Sequence, residues 1–228
     1  MKTKVFSIAL LLFISCSAFG QKVLTVDFDS VKVKISDQSS AYYYPDLIKR
    51  FVDGDTTLTS DDYFYIYYGS AFAENYNPYG TSDNEEKFYE FYNERKYKKA
   101  IPFGEKVLKE NPVNLTMSFK MLVCHHVLGD SAGMKKYVLR HLNLQNVIFN
   151  SGDGNSIETA YVVLNVSDEY NLLFSMERKS IRQALVGDTD VLTTIFEDEK
   201  SDKNTKDIYF NVRMPLDYLD RSLSGNDE

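Results

Sequence analysis

An α+β fold is predicted, with helical hairpins followed by a small, mainly antiparallel β-sheet. Three observations carry it. Between Asn84 and Leu144 apolar residues recur at helical spacing, and the segment overlays itself after a shift of 34 residues. From Asn146 onward the texture changes to short runs rich in β-branched and aromatic residues. The 228 residues are 43% hydrophobic and 14% aromatic, enough apolar surface for an ordinary core and unlike a disordered chain.

The first 20 residues read as a signal peptide. Lys2 and Lys4 give a positive start, Val5 to Ile14 form an apolar run too short to span a bilayer, and Ala18-Phe19-Gly20 fits signal-peptidase cleavage before Gln21. A lipid anchor through Cys16 is the rival reading, although Phe13-Ile14-Ser15 fits its cleavage rule poorly. Both readings place the protein outside the cytoplasm, in the periplasm or secreted. Cleavage leaves Cys124 as the sole cysteine, so no internal disulfide forms and Cys124, in the run Met121-Leu122-Val123-Cys124, is expected as a buried thiol. Removing Lys2 and Lys4 leaves 24 of the 26 basic residues against 33 acidic ones, a net charge of −9, which argues against nucleic acid and anionic lipid as partners. No later segment is apolar enough for a membrane span.

Residues 21–143 are expected to form an amino-terminal arm and a helical region, and 144–228 a small β-rich region packed on the helices. Gln21 to Ser40, with Val31, Val33 and Ile35 in partial alternation, reads as a short strand or extended arm. Pro45 opens a helix through Asp46 to Val52 that ends at Gly54. Ser60 or Thr59 caps a second helix through Tyr63 to Tyr68, and Asn77-Pro78-Tyr79-Gly80 is a turn. Four antiparallel helices in two stacked hairpins are expected over Asn84 to Leu144, with Ala100 at a close crossing and Phe88, Leu108, Leu122 and Leu142 facing inward. Strands are expected at 146–149, 160–166, 191–196 and 207–212, with a short helix from Tyr170 to Met176. A solvated hairpin loop over Glu197 to Lys206 and a helical turn around Leu216 to Leu219 complete the chain.

Within the helical region, Tyr97-x-x-Ala100 followed by Val107-Leu108-Lys109-Glu110-Asn111-Pro112, and Leu128-Gly129-Asp130 in the second copy, resemble the tetratricopeptide repeat. Gly104 in place of a large residue, Phe91 aligned with His125, and Pro102 near a helix start depart from that pattern. Over nearly the whole mature chain, other pieces resemble a family of small exported proteins from Bacteroidetes, a domain of unknown function (number 4919). These are Tyr42-Tyr43-Tyr44, Gly54-Asp55-Thr56-Thr57-Leu58-Thr59, Tyr67-Tyr68-Gly69, Tyr76-Asn77-Pro78-Tyr79, Ser151-Gly152-Asp153-Gly154, Thr159-Ala160-Tyr161, Asp168-Glu169-Tyr170 and Ile208-Tyr209-Phe210-Asn211-Val212. The resemblance implies no activity and no catalytic residues.

No catalytic, cofactor-binding or metal-ligating residue stands out, and no cofactor is expected. His125 and His126 are adjacent, so they diverge on a helix and lack the one-turn spacing of a zinc pair; with His141 they are assigned packing or surface roles. Asp53-Gly54-Asp55 and Gly152-Asp153-Gly154 lack the ligand spacing and closing Glu of a calcium loop and read as tight turns. Phosphate loops and nucleophile elbows are absent from the sequence. Helical-hairpin arrays present concave surfaces to extended peptides, so the function expected is a non-catalytic protein- or peptide-interaction module of the cell envelope. Tyr63, Tyr67, Tyr68, Phe88, Tyr92 and Tyr97 are the expected lining, with core packing as the competing role of each. Glycan binding or processing is the alternative, raised by 17 tyrosines and weakened by the lack of tryptophan.

Overall fold

The computed structural model describes residues 26–201 and 204–225. The expected signal peptide, its cleavage site and Cys16 lie outside the described residues. The fold is α+β, with the helices mostly preceding a four-stranded sheet.

The expected extended arm is instead helix α1, Phe28–Ser36, over its described part. Asp27 caps it, its carboxylate accepting from the backbone N–H groups of Asp29 and Ser30. Val31 and Ile35 lie one helical turn apart and are buried, whereas Val33 is exposed. The alternation that read as a strand is thus one buried stripe plus an outward valine, and packing against α3 decides the period. Helix α2, Tyr44–Asp53, opens on Pro45 and stops at Gly54, whose φ of 80° satisfies the carbonyls of Arg50 and Phe51 in the left-handed form that glycine tolerates. Helix α3, Ser60–Gly69, begins with a reciprocal capping box between Thr59 and Asp62.

Helices α4 (Asp83–Asn93), α5 (Tyr97–Glu110), α6 (Leu115–Val127) and α7 (Ser131–Phe149) follow, each packed on the next. Ala100 is fully buried and Gly104 is buried beside it in α5. A Cβ on Gly104 would lie 2.4 Å from the Met121 sulfur and 3.1 Å from the Phe88 ring, so its missing side chain lets α5 approach α4 and α6 closely. Phe88 and Leu108 face inward as expected. Leu122 is half-buried and Leu142 is 48% exposed, because the buried stripe of α7 runs through Tyr137, Arg140, His141 and Leu144.

The strand expected at 146–149 is the last turn of α7. Leu144, Val147 and Ile148 continue the helical spacing and enter the core together, which a local β-rich texture does not reveal. The 160–166 run yields only the two-residue strand β1, Tyr161–Val162, before Asn165 caps helix α8, Val166–Ser175. Strand β2, Arg178–Val186, was not expected. It pairs antiparallel with β3, Thr189–Phe196, across a two-residue turn in which Gly187 has φ 59°. Strand β4, Lys206–Asn211, lies between β3 and β1, giving the order β1-β4-β3-β2 with only β1 parallel to its neighbour. Helix α9, Arg213–Ser224, extends well beyond the expected turn.

Two cores result. The larger joins α1, α2, α3 and the end of α7 to α8 and the sheet; the smaller lies among α4, α5, α6 and the first half of α7. Cys124 is fully buried in the smaller core, where burial pushes its thiol up to about 11 and keeps it unreactive. No helix among the described residues is long and apolar enough to cross a membrane.

Candidate functional site

Three of the six aromatic residues expected to line a binding surface belong to the core instead. Tyr67, Tyr68 and Phe88 have no exposed surface. Tyr63 is half-buried against the larger core, and Tyr92 and Tyr97 are half-buried against the smaller, where Tyr92 stacks on Phe88 at 5.4 Å. The competing role, core packing, accounts for the first three. The helix α3 that carries Tyr63 to Tyr68 is wedged between α1, α2 and α7, so its rings are covered on several sides.

A polar cleft forms elsewhere, where three connections meet: the loop after α3, the turn between α5 and α6, and the start of α8. Its deep end is a cavity of about 240 Å³ lined by Tyr44, Tyr67, Ser70, Tyr76, Asn111 and Asp168, among others. A second cavity of about 490 Å³ shares Asn75, Asn77, Asn111, Asn114 and Asn165 with the first and continues past Tyr79 to Tyr89.

Capping needs local to helix starts put asparagines there. The Asn114 side chain accepts from Met117 N at 2.8 Å and starts α6, Asn165 accepts from Ser167 N at 2.9 Å and starts α8, and Asn77 accepts from Tyr79 N at 3.2 Å in the turn. Each bond holds the amide oxygen and leaves the Nδ2 donors without a protein partner among the described residues. Asn75 Nδ2 donates to the Glu110 carbonyl and ties the loop to the α5–α6 turn.

Asp168 closes the deep end. Tyr67 Oη donates to its Oδ2 at 2.7 Å and accepts from Leu164 N at 3.1 Å, while Tyr76 Oη donates to the Leu164 carbonyl at 2.8 Å. Burial pushes the Asp168 carboxyl up to about 7 against the lowering effect of the Tyr67 hydrogen bond. The next residue, Glu169, is fully buried with both oxygens unpartnered, and burial, then the nearby Asp190 and Asp168 carboxylates, push it up to about 8. Asp190 is itself raised by burial although Gln183 Nε2 donates to it.

No three metal-ligating side chains among the described residues form a group that would hold a metal ion. His125 Nδ1 lies 2.8 Å from Asp130 Oδ2 and the ring stacks on Tyr137, and His141 Nδ1 lies 3.3 Å from the Leu115 carbonyl, so both act within the helical packing. Asp153 Oδ1 accepts from Asn155 N and Thr159 Oγ1, and Asp55 accepts from Thr57 on one oxygen and Arg50 on the other, so both act within their turns.

Sequence reasoning missed Asp168 and the asparagines. Ser167-Asp168-Glu169 looks like an ordinary acidic first turn, and only the tertiary fold turns those two carboxylates inward. The one available signal was position in the motifs Tyr76-Asn77-Pro78-Tyr79 and Asp168-Glu169-Tyr170, both of which border the cleft. No curated protein and no solved structure matches the chain. The model of the domain of unknown function DUF4919 matches residues 29–221, and the chain belongs to that family.

Proposed function

We propose that the protein is an exported, non-catalytic interaction module that holds an extended peptide segment in the asparagine-lined cleft. The observation that carries this reading is the set of Asn77, Asn114 and Asn165, whose oxygens are held by the backbone and whose amide donors remain free along one cleft. Donors fixed in advance lose little entropy on meeting the carbonyls of an extended chain. The acidic mature chain, with 24 basic against 33 acidic residues and a formal net charge of −9, favours a neutral or basic segment. The tetratricopeptide-like reading of α4–α7 is supported by the 34-residue recurrence and by Ala100 at a buried crossing, although Leu142 points outward. A random peptide library should enrich segments whose affinity falls about tenfold in Asn111→Ala, an asparagine of the same cleft whose place at the end of α5 uses only its backbone. Unchanged affinity in that variant would remove the cleft from the reading.

Export rests on the leader-like residues 1–20. Sequencing the amino terminus of the protein recovered from its native envelope should give Gln21, and a lipid-modified Cys16 would replace secretion with anchoring. Glycan handling is the second reading, favoured by Asp168: a carboxyl that titrates near neutrality in a tyrosine-lined cavity is chemically suited to donating a proton to a glycosidic oxygen. A glycan array bound in preference to the peptide library would support it.

A further inference from the structure

On the far side of α7 from the smaller core, a cavity of about 490 Å³ opens between α7 and the α2–α3 connection. Arg140 stands in its wall, 7% exposed. Its guanidinium lies 4.4 Å from the Phe51 ring centre, and its Nε and Nη2 are buried with no hydrogen-bond partner. Burial lowers it to about 10, which still leaves it charged at neutral pH. A carboxyl can escape burial by taking up a proton; a guanidinium stays ionised, so its solvation must be replaced by another group. The ring face of Phe51 supplies part of that replacement and engages none of the N–H donors.

The surrounding charges sharpen the point. Lys135 and Lys136 line the same cavity, and no carboxylate among the described residues pairs with either lysine or with Arg140. The two aspartates at the rim are already engaged, Asp53 with Lys49 at 3.2 Å and Asp55 with Arg50 at 2.8 Å. Three cationic residues therefore line a cavity whose own anions are committed elsewhere, with Lys136 Nζ 5.6 Å over the Tyr137 ring. The other walls are apolar or aromatic: Phe51, Leu58, Tyr63 and Leu139.

We propose that this cavity is a binding site for a small organic anion, an oxyanion group carried on an apolar or aromatic body. The charge of Arg140 in the wall and of Lys135 and Lys136 at the mouth attracts the oxyanion, and Phe51, Tyr63 and Leu139 cover the body. The site is separate from the asparagine-lined cleft and does not depend on what that cleft holds. It also gives Tyr63 a role that its half-buried position otherwise leaves open.

Phenyl phosphate, benzoate, inorganic phosphate and phenol are the probes, followed by calorimetry and thermal unfolding of residues 21–228. Phenyl phosphate or benzoate should bind the parent and raise its unfolding temperature, with an affinity that falls as salt is added. Inorganic phosphate, which lacks the body, and phenol, which lacks the charge, should each bind at least about tenfold more weakly. Arg140→Met keeps the stem against Phe51 and removes the uncompensated charge, so it should fold with at least the parental stability and lose the ligand-induced shift. If Arg140→Met failed to fold, the surface variant Lys135→Ala/Lys136→Ala should still weaken phenyl phosphate several-fold and flatten its salt dependence. Phosphate and carboxylate sources are separated by whichever of phenyl phosphate and benzoate binds more tightly. Absence of binding to the parent, equal binding of phenol, or an undiminished shift in Arg140→Met would overturn the proposal.

Discussion

Phe88→Ala should lower the unfolding free energy by about 3–5 kcal/mol, read as a shift in urea midpoint at unchanged slope. Phe88 has no exposed surface, lies stacked on Tyr92 at 5.4 Å and edge-on to Tyr89 at 5.6 Å, and faces Gly104 across the α4–α5 crossing. Helices packed this closely relax little into the space a ring leaves, so the cavity cost adds to the lost transfer energy. Phe91 is the internal comparison. It is half-buried, stacks on Phe103 at 5.7 Å and has Lys99 over its outer face, so Phe91→Ala should cost clearly less. Equal effects at the two positions would contradict the packing of the smaller core.

Raising the pH from about 5.5 to about 8.5 should destabilise the fold, against the usual trend for an acidic protein. Asp168 rises from 3.8 to about 7 and Glu169 from 4.5 to about 8. Between those limits the unfolded chain has lost protons that the folded chain keeps, so stability falls as pH rises and levels off above the folded values. One group raised by three units contributes on the order of 4 kcal/mol, and the coupled pair less than twice that. The groups facing them are Tyr67 and Tyr68 from α3, Tyr76 and Tyr79 from the loop, Tyr170 on α8 and Asp190 from β3, none of them a cation that offsets the charge. His141 acts in the opposite sense: burial lowers it below 6.5, so folded stability is lost as pH falls through the unfolded value. Urea midpoints across this range should decline toward alkaline pH, and Glu169→Gln should flatten the decline. A rising profile would mean that both carboxylates are ionised in the folded protein.

The fold class and the starts and stops of α2 and α3 were legible because their causes are local. Thr59 and Asp62 form a capping box within four residues, Gly54 takes the left-handed conformation that ends α2, and the hydrophobic stripe of α4 and α5 fixes which faces meet. Where the local signal was equivocal, tertiary contact chose. Residues 28–36 and 146–149 carry valines and isoleucines that suit a strand, yet each becomes helical because one helical stripe reaches the larger core. Strand β2 has the opposite history. Most of Arg178–Val186 is exposed and shows no alternation, so its pairing with β3, across the Gly187 turn, makes it a strand.

The sequence by itself determined an α+β chain, its caps and turns, its four-helix succession, a buried Cys124 and the absence of recognised catalytic motifs. These follow from residue type and spacing of at most a few turns. Only the tertiary structure decided that Tyr67 and Tyr68 are core, that five asparagines from three connections line one cleft, and that Asp168, Glu169 and Arg140 are buried. The reason is physical. Burial is a property of what lies opposite a side chain, and here the opposite surface comes from distant sequence, as when Tyr67 meets Asp168 across 101 positions.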